Sequence, residues 1–506
     1  MSKPEQQNSG GFAKTTNYKW LAVGGFIFIL LGFATPPLGS MVTKAAELFP
    51  NSSPELLAVK AKNIQIIIAL LATCVVFFAT EAIPMPAVAL TIGLVQLLFG
   101  ITEPSRIVAT YAHDAVWFIA GSLAIGATLV KYGLDKRIGI LVINIAGTKT
   151  RRIVFAMLLG TAIPTAFVGE HAIASMYVPI AIALYTLTDR NTPAPNLGRL
   201  LLITIAVGCM IGGPMSPTGG ARNAIMIGFL ANIGIEVSFG KWLLMGSFYT
   251  VIMAAIMTVV LPLVFKPEVD QLDDAVQILK SDLEKHGGMT KKQWLVAGIM
   301  FIVVFLWIVD KSLTRDVLGF SLGLGGVAML GAVTYMILGL TSWSDYEAKV
   351  SWGVIILYAG AISLGSVFKA TGSASWLADV IVKMTEPLGM NSGLPLIILV
   401  IVIGASLTNL MSAGATVAVI GPVILDMAVS TGTNPLIVGV ILAISTSMAF
   451  WLVIGTPASS IVYSSGKLTP GDFIRNAMIS WPLAVIVAII MVWFYWLNIL
   501  KLPLAY

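Results

Sequence analysis

"FIAGSLAIGATLVKYG", Phe118–Gly133, returns later in the chain as "LYAGAISLGSVFKATG", Leu357–Gly372. Gly121, Gly126 and Gly133 align with Gly360, Gly365 and Gly372 at a constant offset of 239 residues. One glycine match means little in a chain with 48 glycines, but three in order at one offset argue for a duplicated unit. A second block follows each copy: "SMYVPIAIAL" (Ser175–Leu184) lies where the later half has "AVIGPVILDM" (Ala418–Met427), with Pro179 opposite Pro422. The chain reads as two related halves.

Working outward, what surrounds these blocks is overwhelmingly apolar. Of 506 residues 57% are hydrophobic and 11% charged, against about 25% charged in an average soluble domain. Runs such as Trp20–Phe33, Ile64–Ala79 and Trp481–Leu497 approach the length that spans a bilayer core as helix. The expected class is an all-α polytopic membrane protein. The polar first 18 residues lack the pattern of a cleaved signal, so Trp20–Phe33 reads as a retained first span. Cys74 and Cys209 fall inside apolar runs and are expected to be buried thiols. A net charge of +6 fits basic loops at a membrane face better than a nucleic-acid partner.

Each half carries two interruptions. A pair of apolar segments meets at a short polar tip, near 169–171 (Gly169-Glu170-His171) and near 407–414 ("LTNLMSAG"). A later span is broken by Gly, Pro and small polar residues, near 212–223 ("IGGPMSPTGGARN" begins at Ile211) and near 454–460 ("IGTPASS"). Such breaks persist inside a bilayer only where protein or a water-filled cavity satisfies the backbone. Reading each tip as a re-entrant hairpin gives five crossings per half plus the first span, about 11 transmembrane helices. An odd number per half makes the repeats inverted, and paired broken segments in inverted repeats point to a transporter's central site. The predicted parts are 1–62 (tail and first helix), 63–265 (repeat 1), 266–293 (cytoplasmic linker) and 294–506 (repeat 2). With the amino terminus inside, 19 Lys and Arg fall on the cytoplasmic side and 10 outside, the bias expected of a plasma-membrane protein in that orientation. The remaining basic residue is Arg222, inside the first break.

An ionised side chain deep in a membrane helix costs about 2.5–3.5 kcal/mol or more and marks a candidate site. Glu170 and His171 on one tip and Arg222 on the next break are such groups. Two readings are open: a buried Glu170–Arg222 pair that pins the hairpin to the broken helix, or an anion site in which Arg222 and His171 supply positive charge and Glu170 orients one of them. Helix N-termini exposed at tips and breaks add anion-binding N–H groups. Ser216, Thr218 and Asn223 in the first half, and Thr408, Asn409, Ser412, Thr456, Ser459 and Ser460 in the second, make a carboxylate-sized cluster. "GEHAI" lacks zinc-protease spacing and no Walker A lysine is present. No metal, cofactor or catalytic group is expected, and neither an enzyme nor a channel is favoured. His113 and His286 read as solvated loop residues, and Trp117, Trp352 and Trp451 as packing or interfacial residues.

"TEAIPMPAVAL" (Thr80–Leu90), "WGVIILYAGAISLGSVFKATGSASWLA" (Trp352–Ala378) and "IGTPASSIVYSSGKLTPGDFIRNA" (Ile454–Ala477) resemble signatures of the divalent anion–sodium symporter family. The resemblance covers nearly the whole chain. It implies a homodimer in the lipid bilayer with a scaffold part and a moving part, working as an elevator on dicarboxylates, citrate or sulfate. The family's Ser-Asn-Thr triplet stands ten residues before a proline at each tip. Here those positions are Gly169-Glu170-His171 and Ser412-Ala413-Gly414, so only Ser412 is retained. The family's Pro-Pro-Asn in the first break is Ala221-Arg222-Asn223, with Asn223 retained, and the second break keeps Thr456-Pro457.

These departures lead to a specific expectation. If Arg222 and His171 supply fixed positive charge, the loaded site is nearly neutral and the empty one is not. The chain would then exchange C4/C5 dicarboxylates (2-oxoglutarate, malate, succinate, fumarate) without sodium, as the family's sodium-independent branch does. The alternative is sodium- or proton-coupled symport of di- or tricarboxylates or sulfate, with Glu170 taking over cation binding. Small dicarboxylate anions, the bilayer and a second copy are the expected partners.

Overall fold

The computed structural model describes residues 16–134, 137, 146–190, 192–273, 276–277, 288–309 and 319–506. Among them the chain is helical, with only two isolated β-bridges. The first part holds α1 (Tyr18–Phe33), α2 (Gly39–Leu48), α3 (Pro54–Thr80), α4 (Met85–Leu98), α5 (Pro104–Tyr111) and α6 (Asp114–Lys131). It continues through α7 (Thr150–Val168), α8 (Glu170–Asp189), α9 (Pro195–Gly212), α10 (Ala221–Asn232) and α11 (Phe239–Val264). The second part holds α12 (Lys291–Val309), α13 (Gly323–Ile337), α14 (Trp343–Lys349), α15 (Trp352–Thr371) and α16 (Ser373–Thr385). It ends with α17 (Gly393–Leu407), α18 (Ala413–Ser430), α19 (Pro435–Ser445), α20 (Pro457–Tyr463) and α21 (Pro470–Ile490).

Among the described residues, ten helices are long and apolar enough to cross a membrane. They number eleven if α16 and α17, bent by 110° at their junction, count as one span. The all-α polytopic class and the number of spans agree with the sequence. The expected linker helix falls largely on 274–275 and 278–287, outside the described residues, as does His286. Cys74 and Cys209 are free and buried.

The helices start where local chemistry provides for exposed N–H groups. Ser53 caps α3, accepting from Leu56 N at 3.3 Å with Pro54 at the first helical position, a pairing that satisfies one orphan donor and presets φ. Thr469 and Asp472 form a capping box at α21. His113 is not a solvated loop residue: its Nδ1 accepts from Ala115 N at 3.2 Å and caps α6. In α9 the most apolar stretch is 94% buried, whereas in α12 the figure is 22%. α9 is therefore the centre of the bundle and α12 a lipid-facing helix.

The duplication is visible in packing. Adding 239 to α4, α5 and α6 lands on α13, α14 and α15 to within a residue or so at each end of the longer helices. α6 packs on α13 while α15 packs on α4, so the halves exchange partners as a twofold would require. The contact residues obey the same offset. A Cβ on Gly121 would lie 2.6 Å from the Ala328 backbone, and one on Gly360 would lie 2.6 Å from Ala89 Cα. Ala89 and Ala328 are themselves 239 apart. Small residues here let two backbones approach, the usual basis of helix association in lipid.

Gly121→Val and Gly360→Val are each expected to lower stability by about 1–3 kcal/mol through overpacking. Gly25→Ala, which meets nothing within 4 Å, should be neutral. Thermal unfolding of the purified protein in detergent compares the three.

Candidate functional site

The first break is built from three pieces. α9 ends at Gly212, two 3-10 turns run through Gly213–Met215 and Pro217–Gly219, and α10 restarts at Ala221. Beside it α7 ends and α8 begins at a single residue, Gly169, with φ 94°, a left-handed backbone that glycine adopts without strain. Side chains tie the pieces together. Thr218 Oγ1 donates to Ala166 O at 2.7 Å, and Ser216 Oγ donates to the same carbonyl. Asn223 Nδ2 donates to Gly213 O at 2.9 Å and Ser216 O at 2.7 Å. Thr250 Oγ1 and Trp242 Nε1, both on α11, reach Ile211 O at 2.7 Å and Pro214 O at 3.0 Å. These bonds give the unwound carbonyls the partners that the helix no longer supplies.

Arg222 lies inside this frame. Its Nη1 contacts Glu170 Oε1 at 3.3 Å, and the two side chains are 4% and 9% exposed. A Cβ on Gly213 would fall on Arg222 Nη2, and one on Gly220 would lie 3.1 Å from Nη1. The guanidinium thus occupies space that only glycines leave free. The contact is single and longer than the 2.7–2.9 Å usual for such pairs. Glu170 Oε2, Arg222 Nε and Nη2, and Asn223 Oδ1 are buried without a protein partner among the described residues. Nε and Nη2 form the edge of the fork that binds a carboxylate at two points.

His171 is not part of this group. Successive helix residues diverge by about 100°, and His171 lies with Ser175 and Pro179 on the exposed face of α8. Glu170 meets Arg222, the buried pair that one of the two open readings expects. Among the described residues His171 forms no hydrogen bond or ion pair with Glu170 or Arg222.

The second half has the same plan without charges. Thr408 Oγ1 donates to Thr446 O at 2.7 Å, while Asn409 donates through Nδ2 to Ala405 O at 2.7 Å and accepts from Trp451 N at 3.1 Å. Ser412 caps α18 through Ala415 N at 3.3 Å. Thr456 Oγ1 accepts from Ser459 N at 3.1 Å, with Pro457 in the first helical turn of α20. The helix interruption runs from Thr446 to Thr456, earlier than the expected 454–460, and Ser459 and Ser460 belong to α20. Trp451, expected to pack or sit at an interface, contributes its backbone N–H to this frame. The halves interlock: α10 packs on α18 and α20 on α8, and a Cβ on Gly414 would come within 2.9 Å of Ala221 Cβ. Gly414 thus brings the second tip against the residue before Arg222. Thr408, Asn409, Ser412, Thr456, Pro457 and Ser459 form the second break's own frame, with no hydrogen bond to Arg222 or Glu170 among the described residues.

Two buried tyrosines, not among the expected site residues, lie near the pair. Tyr358 on α15 lies within electrostatic range of Arg222 and Glu170. Tyr249 on α11 lies within electrostatic range of Arg222, and its hydroxyl has no hydrogen-bond partner among the described residues. Both sit in apolar runs, and nothing in their spacing singles them out.

The profile of the family described as the sodium:sulfate symporter transmembrane region matches residues 41–502. The chain belongs to the divalent anion–sodium symporter family. It is similar to the sodium-dependent dicarboxylate transporter SdcS of Staphylococcus aureus, strain USA300, at 25% identity over 476 residues, covering 90% of this chain and 88% of the relative. SdcS of Staphylococcus saprophyticus is 24% identical over 412 residues, 78% of each chain. Among solved structures, MtrF of Neisseria gonorrhoeae, of a class of antimetabolite efflux pumps, has a TM-score of 0.54 at 15% identity, covering 79% of this chain and 84% of its own. The YdaH transporter of Alcanivorax borkumensis has a TM-score of 0.51 at 14% identity, covering 79% and 89%. At those identities the likeness is one of fold alone. Membership places this chain among membrane transporters.

Removing one partner of a buried ion pair is expected to cost about 3–5 kcal/mol, because the other charge is left uncompensated. Arg222→Met and Glu170→Gln should each lower the melting temperature strongly, and the double substitution should recover part of the loss. Gly213→Ala should resemble Arg222→Met. A double-mutant cycle on thermal unfolding measures the coupling; additive losses would show that the pair is not an energetic unit.

Proposed function

We propose that this chain is a secondary transporter of C4/C5 dicarboxylates in which a tethered guanidinium stands at the first break, leaving cation coupling to the second. The observation that carries the reading is Arg222 in its glycine-lined space, held to Glu170 at 3.3 Å. In this reading the pair adds no net charge. A bound dianion would then cross at a net negative charge, at a cost of several kcal/mol, unless a cation accompanies it. The unwound stretch Thr446–Thr456, with Thr408 and Asn409 beside it, has the oxygen-rich, uncharged character that suits sodium. The names of the SdcS relatives support both the substrate class and a sodium requirement. Arg222's free edge and Asn223 would receive one carboxylate, and the tip Thr408–Gly414 with Thr456–Ser459 the other. The working unit would be a homodimer in a bacterial plasma membrane, amino terminus inside. Its inverted repeats (63–265 and 294–506) would carry the site as an elevator.

Sodium-independent exchange is the second reading: one dianion leaving for each that enters moves no net charge, so no cation from solution is required. The two readings separate in proteoliposomes. Labelled succinate or 2-oxoglutarate is added with and without a sodium gradient, a proton gradient and unlabelled dicarboxylate inside. Uptake into empty vesicles that requires an inward sodium gradient is the expected result. Uptake that ignores both gradients and requires internal dicarboxylate would establish exchange and overturn the coupled reading.

A further inference from the structure

We propose that the junction of α7 and α11 holds the headgroup of an anionic phospholipid. A cavity of about 560 Å³ opens there, with Lys149, Arg151 and Lys266 around it. Two apolar residues at the end of α11, Pro262 and Leu263, form one wall, and Asp270 contributes the lining's single carboxylate. The walls are fixed relative to one another by the strap that follows α11. Lys149 forms a β-bridge with Gln271. Leu272 N donates to Thr148 O at 2.8 Å, and Thr150 donates from N to Asp270 O at 2.9 Å and from Oγ1 to Val269 O at 2.8 Å.

None of the three cations forms an ion pair with an acid among the described residues. The nearby Glu268 is spent elsewhere, accepting from Asn196 N and Leu197 N at 2.9 and 3.0 Å to cap α9. Three unpaired cations against one carboxylate make an anion site. Its position makes the anion a lipid. The cavity lies at the ends of two membrane-spanning helices. Leu263, 68% exposed, and Val259 one turn earlier, 58% exposed, continue from it along α11. A phosphate at the cations would lay an acyl chain on that strip, the arrangement by which basic pockets between transmembrane helices take anionic lipids.

The test uses the purified full chain with equimolar phosphatidylglycerol and phosphatidylcholine, and native mass spectrometry of what stays bound. The protein should retain phosphatidylglycerol in preference. Each basic group near the surface is worth roughly a fivefold factor in such binding. The triple substitution Lys149→Gln, Arg151→Gln and Lys266→Gln should therefore reduce retention by on the order of a hundredfold. Lys241→Gln, an exposed lysine at the opposite end of α11, should change nothing. If the triple variant fails to fold, Lys266→Glu alone, a change of two charge units, should reduce the preference roughly twenty-fivefold. Equal retention of the two lipids, or undiminished phosphatidylglycerol on the folded variants, would overturn the site. So would displacement of the lipid by millimolar inorganic phosphate, which would assign the cavity to a soluble anion.

Discussion

A membrane interior offers no water to a backbone that leaves its helix, and the architecture of this protein follows from meeting that constraint twice. At the first break the carbonyls of Ile211, Gly213, Pro214 and Ser216 are each taken by a side chain: Thr250, Asn223, Trp242 and Asn223 again. At the second, Thr408 serves Thr446 O and Asn409 serves Trp451 N. The donors come from the neighbouring tip, from the restarted helix and from α11. The breaks therefore exist only as parts of a packed assembly, and the hairpins are placed by what the breaks need. Burial of α9 on nearly all sides is the same requirement seen from the helix that leads into the first break.

Much of this was legible in the chain. The offset of 239 residues identified the repeat, and it survives as twofold-related contacts down to Gly121 on Ala328 and Gly360 on Ala89. The tips and the first break were visible because Gly, Pro and charge have no bland role in an apolar span. The second break was placed too late. "STSMAF", Ser445–Phe450, reads as ordinary membrane sequence, and its departure from helix depends on partners about forty residues away. Arg222 and Glu170, 52 positions apart, carried two compatible readings, and composition cannot say which charge neutralises which. His171 shares the tip with Glu170 in sequence, but one step along a helix turns its side chain by about 100° toward the exposed face.

The asymmetry between the halves bears on mechanism. Both breaks share the tip-against-break plan, but only the first carries charge. An ion pair there keeps its two charges permanently, whereas a site filled from solution gains and loses its cation in each cycle. Arg222 cannot leave, so its charge cannot be used to distinguish loaded from empty. In the proposed reading, what links substrate to a driving ion acts at the uncharged break, where occupancy can change.

The ion pair also shapes what binding an anion costs. A single 3.3 Å contact leaves the Nε–Nη2 edge of Arg222 and the Oε2 of Glu170 unpaired, and each such buried polar atom is unfavourable by roughly 1–3 kcal/mol. A carboxylate that met the free edge would recover part of that cost for the cation while repelling Glu170. The anion's net gain at Arg222 is therefore smaller than an isolated guanidinium would give. In exchange the empty site avoids an uncompensated charge in the membrane, which would cost at least about 2.5–3.5 kcal/mol. Moderate affinity with an electrically quiet empty site is what a carrier needs if it must release its cargo and return.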